Sequence, residues 1–192
     1  MPMTISAVIL AGGQGKRMGG VDKGLQLLQG KPLVEHILQR LKPQLTHIAI
    51  NANRHLPQYA QYGYPVFNDE LTGFQGPLSG MLTGLKRATS DYVLFVPCDC
   101  PYLPLNLVEK FSQAIHQQAP VAYADDGERS HPTFCLLSKK LITPLSTYLA
   151  QGERKVLTFF QQQQALVIDF SEQKQGFINI NWREGLDKNN QK

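Results

Sequence analysis

Two rhythms of apolar residues alternate along this chain. Ser6 to Ala11 (S-A-V-I-L-A) is a short, almost continuous apolar run closed by Gly12-Gly13, the pattern of a strand buried on both faces of a parallel sheet. From Pro32 onward, Leu33, Ile37 and Leu41 recur at helical spacing, with Pro32 suited to the first turn and Pro43 to the stop. His47 to Asn51 reads as a second strand, and Val66-Phe67, before Asn68-Asp69, as a short third. Leu78, Met81, Leu82 and Leu85 mark a helix that begins near Gly76-Pro77. Tyr92 to Pro97 (Y-V-L-F-V-P) is the clearest strand, and it delivers Cys98-Asp99 at its carboxyl end. Asn106 to Ala119 then reads as a helix, Val121 to Tyr123 and Thr133 to Leu137 as strands, and Leu141 to Leu149 and Arg154 to Gln161 as helices.

Strands alternating with helices define an α/β protein whose mostly parallel central sheet is built by right-handed crossovers, with helices on both faces. Ligands of such sheets bind at the carboxyl ends of the strands. The glycine-rich loop, Asn51, Asp69 and Asp99 all fall at such ends. The chain length of 192 residues and the 42% hydrophobic content suit one domain spanning residues 1–192, with a polar tail over 187–192 that is expected to fray.

Composition narrows the function classes. Met1-Pro2-Met3-Thr4 lacks a charged n-region and no apolar run is long enough to cross a bilayer, so a cytoplasmic protein without a membrane partner is expected. Cys98, Cys100 and Cys135 are too few for a disulfide scaffold, and the first two are spaced for neither a redox pair nor a zinc knuckle. The 19 Lys and Arg against 15 Asp and Glu give a formal charge of +4, compatible with an anionic substrate. Those cations are dispersed, in pairs such as Lys16-Arg17 and Arg154-Lys155, which speaks against nucleic-acid binding.

The segment Leu10-Ala-Gly-Gly-Gln-Gly-Lys-Arg-Met-Gly19 gathers Gly12, Gly13, Gly15 and Gly19 into one turn, where backbone N–H groups can approach phosphate without a Cβ in the way. It is not a dinucleotide fingerprint, because Met18 stands where the third glycine belongs. Nor is it a Walker loop, because Gly15-Lys16 is followed by Arg17 rather than Ser or Thr. Lys16, Arg17 and Lys23 supply cations where nucleotidyl transfer concentrates negative charge, on the α-phosphate and the departing pyrophosphate. The competing reading is a solvated basic turn.

A carboxylate such as Asp99 at the end of a strongly hydrophobic strand meets solvent in a cleft, caps a helix or holds a cation. Magnesium takes only one or two protein carboxylates beside phosphates, so a single Asp with a triphosphate suffices.

With these residues in place, the chain resembles the molybdenum cofactor guanylyltransferases over nearly its whole length. The carriers are Leu10-Ala-Gly-Gly with Arg17-Met-Gly-Gly-Val-Asp-Lys23, Gly30-Lys-Pro-Leu33, Asn51-Ala-Asn-Arg54, Gly76-Pro-Leu-Ser-Gly80, Pro97-Cys-Asp99 with Pro101, His131-Pro-Thr133, Gly152-Glu-Arg154 and Asn179-Ile-Asn181. The first of these and Pro97-Cys-Asp99 are shared with many sugar-phosphate and cytidylyl transferases; Asn51-Ala-Asn-Arg54 and His131-Pro point to the molybdopterin branch. The resemblance implies a Rossmann-like nucleotidyltransferase fold and an enzyme that transfers GMP from GTP to molybdopterin with release of pyrophosphate. It implies that Leu10, Ala11, Gly12, Lys23, Asn51, Asp69, Gly76, Gly80 and Asp99 bind GTP and that Asp99 holds Mg2+; the glycine loop adds Gly13 and Gly15 to the GTP site, and charge neutralisation assigns catalysis to Arg17 and Lys23 with Asp99. On the pterin side it places Arg129, His131, Arg154, Lys155, Asn179 and Asn181. Transient contact with molybdenum cofactor biosynthesis proteins and apo-molybdoenzymes, and a monomeric state, are further expectations. One departure is Trp182-Arg183-Glu184-Gly185 after Asn181, where the family commonly has Thr-Pro. Rival readings are a cytidylyl or sugar-phosphate nucleotidyltransferase of the same fold, and a non-catalytic GTP-binding protein.

Overall fold

The structure, a computed structural model, describes residues 3–13, 20–73 and 75–180. Strand β1 (Ile5–Leu10) is followed by the small hairpin of β2 (Leu27–Leu28) and β3 (Lys31–Pro32), then by α1 (Leu33–Leu41), β4 (Ile48–Asn51), α2 (Leu56–Ala60) and β5 (Val66–Phe67). Helix α3 (Pro77–Arg87), β6 (Tyr92–Pro97), α4 (Leu107–His116), β7 (Val121–Asp125) and β8 (Ser130–Ser138) come next. The described chain closes with α5 (Ile142–Ala150), α6 (Val156–Gln162), β9 (Leu166–Asp169) and a 3-10 segment, Ser171–Phe177.

One seven-stranded sheet runs in the order β5-β4-β1-β6-β8-β7-β9. Strand β8 is antiparallel to both neighbours, and every other adjacent pair is parallel. The α/β sheet expected from the sequence, mostly parallel and covered on both faces, is the sheet observed.

Period-two alternation decides which helices lie where. Ala7 and Ile9 of β1, Tyr92, Leu94 and Val96 of β6, and Phe134 and Leu136 of β8 face one layer, built from α1 and α4 with Val34, Ile37, Leu41, Leu107 and Phe111. Val8, Val93, Phe95, Cys135 and Leu137 face the other, built from α3, α5 and α6 with Leu78, Met81, Leu82, Leu145, Phe159 and Phe160. The strand order reverses between β1 and β6, so the loops leaving their carboxyl ends diverge to opposite faces and open a crevice at Leu10 and Pro97. Because β7 runs parallel to β6, the turn joining β7 to β8 opens on that same edge.

Several elements differ from expectation, among them the β2–β3 hairpin, which no sequence pattern announced, and β8, which runs from Ser130 rather than Thr133. Strand β9 at the sheet margin reads poorly in sequence because only Ile168 of Leu166–Asp169 is buried. Helix α2 is five residues long and starts from His55 in a left-handed conformation, at φ 52°. Helix α4 stops at His116, short of Ala119, because Gln118 turns to φ 55°. Helix α6 starts at Val156 because Lys155 is extended (ψ 114°), which leaves Arg154 and Lys155 in the loop ahead of it. Within the β7–β8 ladder the register jumps from Tyr123↔Cys135 to Ala124↔His131, and Pro132, which has no N–H to contribute, falls inside the irregular stretch. Among the described residues no helix is long and apolar enough to cross a membrane.

Helix α3 rides directly on Phe95, which is fully buried; a Cβ at Gly84 would come within 2.8 Å of its ring. Phe95→Ala is therefore expected to cost about 3–5 kcal/mol, measured as the shift in urea unfolding free energy. A loss under about 1 kcal/mol would show that α3 is held to the sheet from elsewhere.

Candidate functional site

The crevice is organised by a carboxylate. Beyond the last pair of β6, the Cys98 N–H donates to the Leu10 carbonyl at 3.2 Å, and the Asp99 carbonyl accepts the Ile180 N–H at 2.8 Å. Backbone bonds on both sides thus fix Asp99 at the switch point. Its side chain is 11% exposed, and Lys23 Nζ lies 3.0 Å from its Oδ2. Among the described residues no other cation is ion-paired to it.

Lys23 is held in turn by a buried acid. Asp22 caps the 3-10 turn Lys23–Leu25 by accepting the Gly24 N–H at 3.2 Å. The same carboxylate oxygen accepts the Tyr59 hydroxyl, delivered from α2, at 2.5 Å. Burial pushes the Tyr59 phenol well above its ordinary range, and neighbouring acids add to the effect, so it acts here as a donor.

A second group forms the opposite wall. Asn51 ends β4, is 2% exposed and donates from Nδ2 to Asp69 Oδ1 at 2.8 Å. Its Oδ1 packs between two glycines: a Cβ at Gly12 would sit 3.0 Å away, and one at Gly80 would overlap it. Gly12 and Gly80 are thus required by close approach, and they bring the end of β1, the end of β4 and the first turn of α3 into one surface. Gly76 caps that helix with φ 81°.

Two residues not assigned to the site by sequence tie the glycine-rich loop to this wall. Asn53 donates from Nδ2 to the Gly12 carbonyl at 2.9 Å and accepts the Asp69 N–H at 2.8 Å. Arg54 donates to the Gly20 carbonyl at 2.5 Å and to the Gly13 carbonyl at 3.2 Å. The signal was available: Asn51-Ala-Asn-Arg54 is a polar cluster directly after a buried strand on the ligand-binding edge. Gly15 and Arg17 lie outside the described residues, as do Lys16 and Asn181.

The residues expected on the pterin side are spread along the edge. Arg129 is exposed in the β7–β8 turn. His131 Nε2 lies 2.6 Å from Asp126 Oδ2, with side chains only 10% and 7% exposed, and the imidazole stacks on Phe177 at 4.8 Å. Burial pushes the Asp126 carboxyl up, but hydrogen bonds from His131 and from the Glu128 and Arg129 N–H groups outweigh it and hold the carboxyl at about 2. Asn179 sits beside Asp99 and accepts the Cys100 thiol at 2.9 Å, burial having raised that thiol well above its ordinary range. Lys155 is exposed and Arg154 is bonded to Gln75 at 2.7 and 2.9 Å. Lys23, Asp99, Gly12, Asn51, Asp69 and Gly80 are the expected residues that the structure assembles most tightly.

A lysine against a carboxylate at the switch point of a doubly wound sheet, beside the glycines that follow β1, fits a nucleotidyltransferase. Residues 7–166 match the MobA-like NTP transferase domain, and the chain belongs to the molybdenum cofactor guanylyltransferase family. The Mannheimia succiniciproducens molybdenum cofactor guanylyltransferase is 63% identical over 94% of this chain and 96% of its own length. That of Haemophilus influenzae is 51% identical over 98% of each. Among solved structures, the molybdopterin-guanine dinucleotide biosynthesis protein A of Archaeoglobus fulgidus superposes with a TM-score of 0.77 at 19% identity over 92% of each chain. A protein from Aquifex aeolicus gives 0.75 at 19% identity over 92% of each. At that identity the structural likeness speaks for the fold.

Two outcomes follow from this geometry. Gly80→Ala sets the ~1 kcal/mol that Ala brings to a helix interior against about 1–3 kcal/mol of overpacking on Asn51. Net destabilisation with weakened nucleotide binding is expected in thermal melts and titrations, and net stabilisation would show that Asn51 yields freely. Asp126 supplies an acid-limb signature. A carboxyl depressed below its unfolded value of about 3.9 stabilises the fold above that value. The contribution is lost as pH falls through about 2. Acid unfolding followed by circular dichroism should therefore flatten in Asp126→Asn between about pH 4 and pH 2; an unaltered limb would contradict the assignment.

Proposed function

We propose that this chain transfers GMP from GTP to molybdopterin, forming the guanine dinucleotide cofactor and releasing pyrophosphate. The Lys23–Asp99 pair at the β1/β6 crevice carries the reading, because it sets a fixed cation and a fixed carboxylate where a triphosphate and its metal must meet. The name borne by relatives 63% and 51% identical supports guanine as the base and the molybdenum cofactor as the product.

A terminal phosphate oxygen of molybdopterin attacks the α-phosphorus of GTP in line. The new P–O bond forms as the bridge to the β-phosphate breaks, and the electron pair leaves with pyrophosphate. A phosphate monoester is already anionic at neutral pH, so the residues position and neutralise charge and need supply no nucleophile. Lys23 neutralises the triphosphate, and the same role is assigned to Arg17 from the sequence. A cation ~4 Å from the developing charge contributes roughly 4 kcal/mol at an effective dielectric of ~20, before desolvation is subtracted. Leu10, Ala11, Gly12 and Gly13 lie along the phosphates, a role also assigned to Gly15 from the sequence, and Asn51, Asp69, Gly76 and Gly80 form the wall on the nucleoside side. Arg129, His131, Lys155 and Asn179 line the edge toward the pterin, a side to which Asn181 is also assigned from the sequence.

The donor set suits magnesium. Asp99 offers a hard carboxylate that already attracts a cation, and among the described residues no group of three or more His, Cys, Asp or Glu forms an all-protein cage. Asp99 would hold the ion, which when bound acts as Lewis acid and template for the phosphates. The work is placed in the cytoplasm, in keeping with three buried free cysteines, with the product passed on through transient contact with apo-molybdoenzymes.

Purified protein incubated with magnesium and GTP, CTP, ATP or UTP, with and without molybdopterin, is expected to release pyrophosphate only with GTP plus molybdopterin. Asp99→Ala should slow that reaction about a thousandfold, the equivalent of ~4 kcal/mol. Release with CTP instead would move the activity to cytidylyl transfer, and GTP binding without release under any condition would make the chain a binding protein.

A further inference from the structure

Arg154 holds a position that the site has not used. A guanidinium carries five N–H donors and accepts nothing. Four of them are committed inside the protein: Nε and Nη2 converge on Gln75 Oε1 at 2.9 and 2.7 Å, and Nη1 donates to the carbonyls of Leu149 and Glu153 at 2.8 and 2.6 Å. Leu149 lies in the last turn of α5, where its carbonyl also accepts the Gly152 N–H at 3.0 Å, so Arg154 adds a second, charged donor to that end. Helix α5 packs beside α3 through Leu145, Tyr148 and Leu149 against Leu78, Met81 and Leu82. The guanidinium is thereby anchored to a fixed element.

Gln75 is oriented from its other side as well. Its Nε2 donates to the Thr72 carbonyl at 2.8 Å. Since Arg offers only donors, the amide oxygen must face Arg154 and the amide nitrogen Thr72. Gln75 directly precedes Gly76, the cap of α3, and the first turn of α3 carries Gly80 against Asn51 and Leu10 at the crevice. A continuous set of contacts therefore runs from the end of α5 through Arg154 and Gln75 to the wall beside Gly12.

We infer that Arg154 is a positioning residue for the nucleotide, acting through Gln75 on the loop that enters α3, and is not a ligand of the pterin substrate. The inference rests on the GTP-dependent reading above. One remaining N–H on a guanidinium bound to three other acceptors is a poor match for a bidentate phosphate contact.

The test compares Arg154→Ala, Arg154→Lys, Gln75→Ala and the double Ala variant by calorimetric GTP binding in magnesium and by steady-state kinetics in both substrates. Arg154→Ala and Gln75→Ala are each expected to weaken GTP binding and raise its KM about tenfold, with the KM for molybdopterin unchanged. The double variant should be no worse than the poorer single, as for two residues acting as one unit. Arg154→Lys, which cannot fork, should recover only part of the loss. A rise in the molybdopterin KM for Arg154→Ala, with Gln75→Ala silent, would overturn the inference and return Arg154 to the pterin side. Should Arg154→Ala fail to fold, Gln75→Ala decides alone: an unchanged GTP affinity rejects the coupling. Wild-type protein that binds no GTP would instead sink the functional reading, and this inference with it.

Discussion

Strand β1 is hydrogen-bonded along both edges and buried on both faces, and the site depends on that constraint. Its pairing with β4 and β6 in parallel register sets three carboxyl ends side by side, at Asn51, Leu10 and Pro97. Each strand therefore releases its polar residues on one rim. A slip of one residue in either ladder would turn Ala7 and Ile9 toward the wrong helical layer, so burial on both sides locks the register. Precision at Asp99 is inherited from a hydrophobic cause.

Upon that frame the polar residues fall into braces and instruments. Asp22 and Tyr59 brace Lys23, the Ile180 N–H braces Asp99, and Asn53 braces Gly12. Such buried polar groups are costly unless fully paired, and these are paired with one another. Lys23 is the exception in that its side chain remains 36% exposed, so its ammonium stays open to solvent on the side away from Asp99.

The chain's fold was legible wherever a buried strand or an amphipathic helix was long enough to impose a period. Ser6–Ala11 and Tyr92–Pro97 announced themselves as apolar runs, and α3 by Leu78, Met81, Leu82 and Leu85. Leu166–Asp169 did not, since a margin strand with one buried side chain has almost no pattern to show. The residues at the crevice were legible by type and place: glycines after a strand, a carboxylate after another. Their supports were not, because Tyr59 and Asp22 are 37 positions apart and Arg154 and Gln75 are 79 apart. Composition gives no hint of partners that only the tertiary structure brings within 3 Å.

The pairing of Lys23 with Asp99 has a bearing on how an anion arrives. A lone carboxylate at the mouth would repel a polyphosphate over a screening distance of about 8 Å at physiological ionic strength. With the ammonium 3.0 Å from one oxygen, the two charges present a compact dipole whose field falls off faster with distance than that of a single charge. The free protein thus keeps a counterion of its own beside Asp99, and the repulsion of that one carboxylate toward an approaching anion is cancelled at its source.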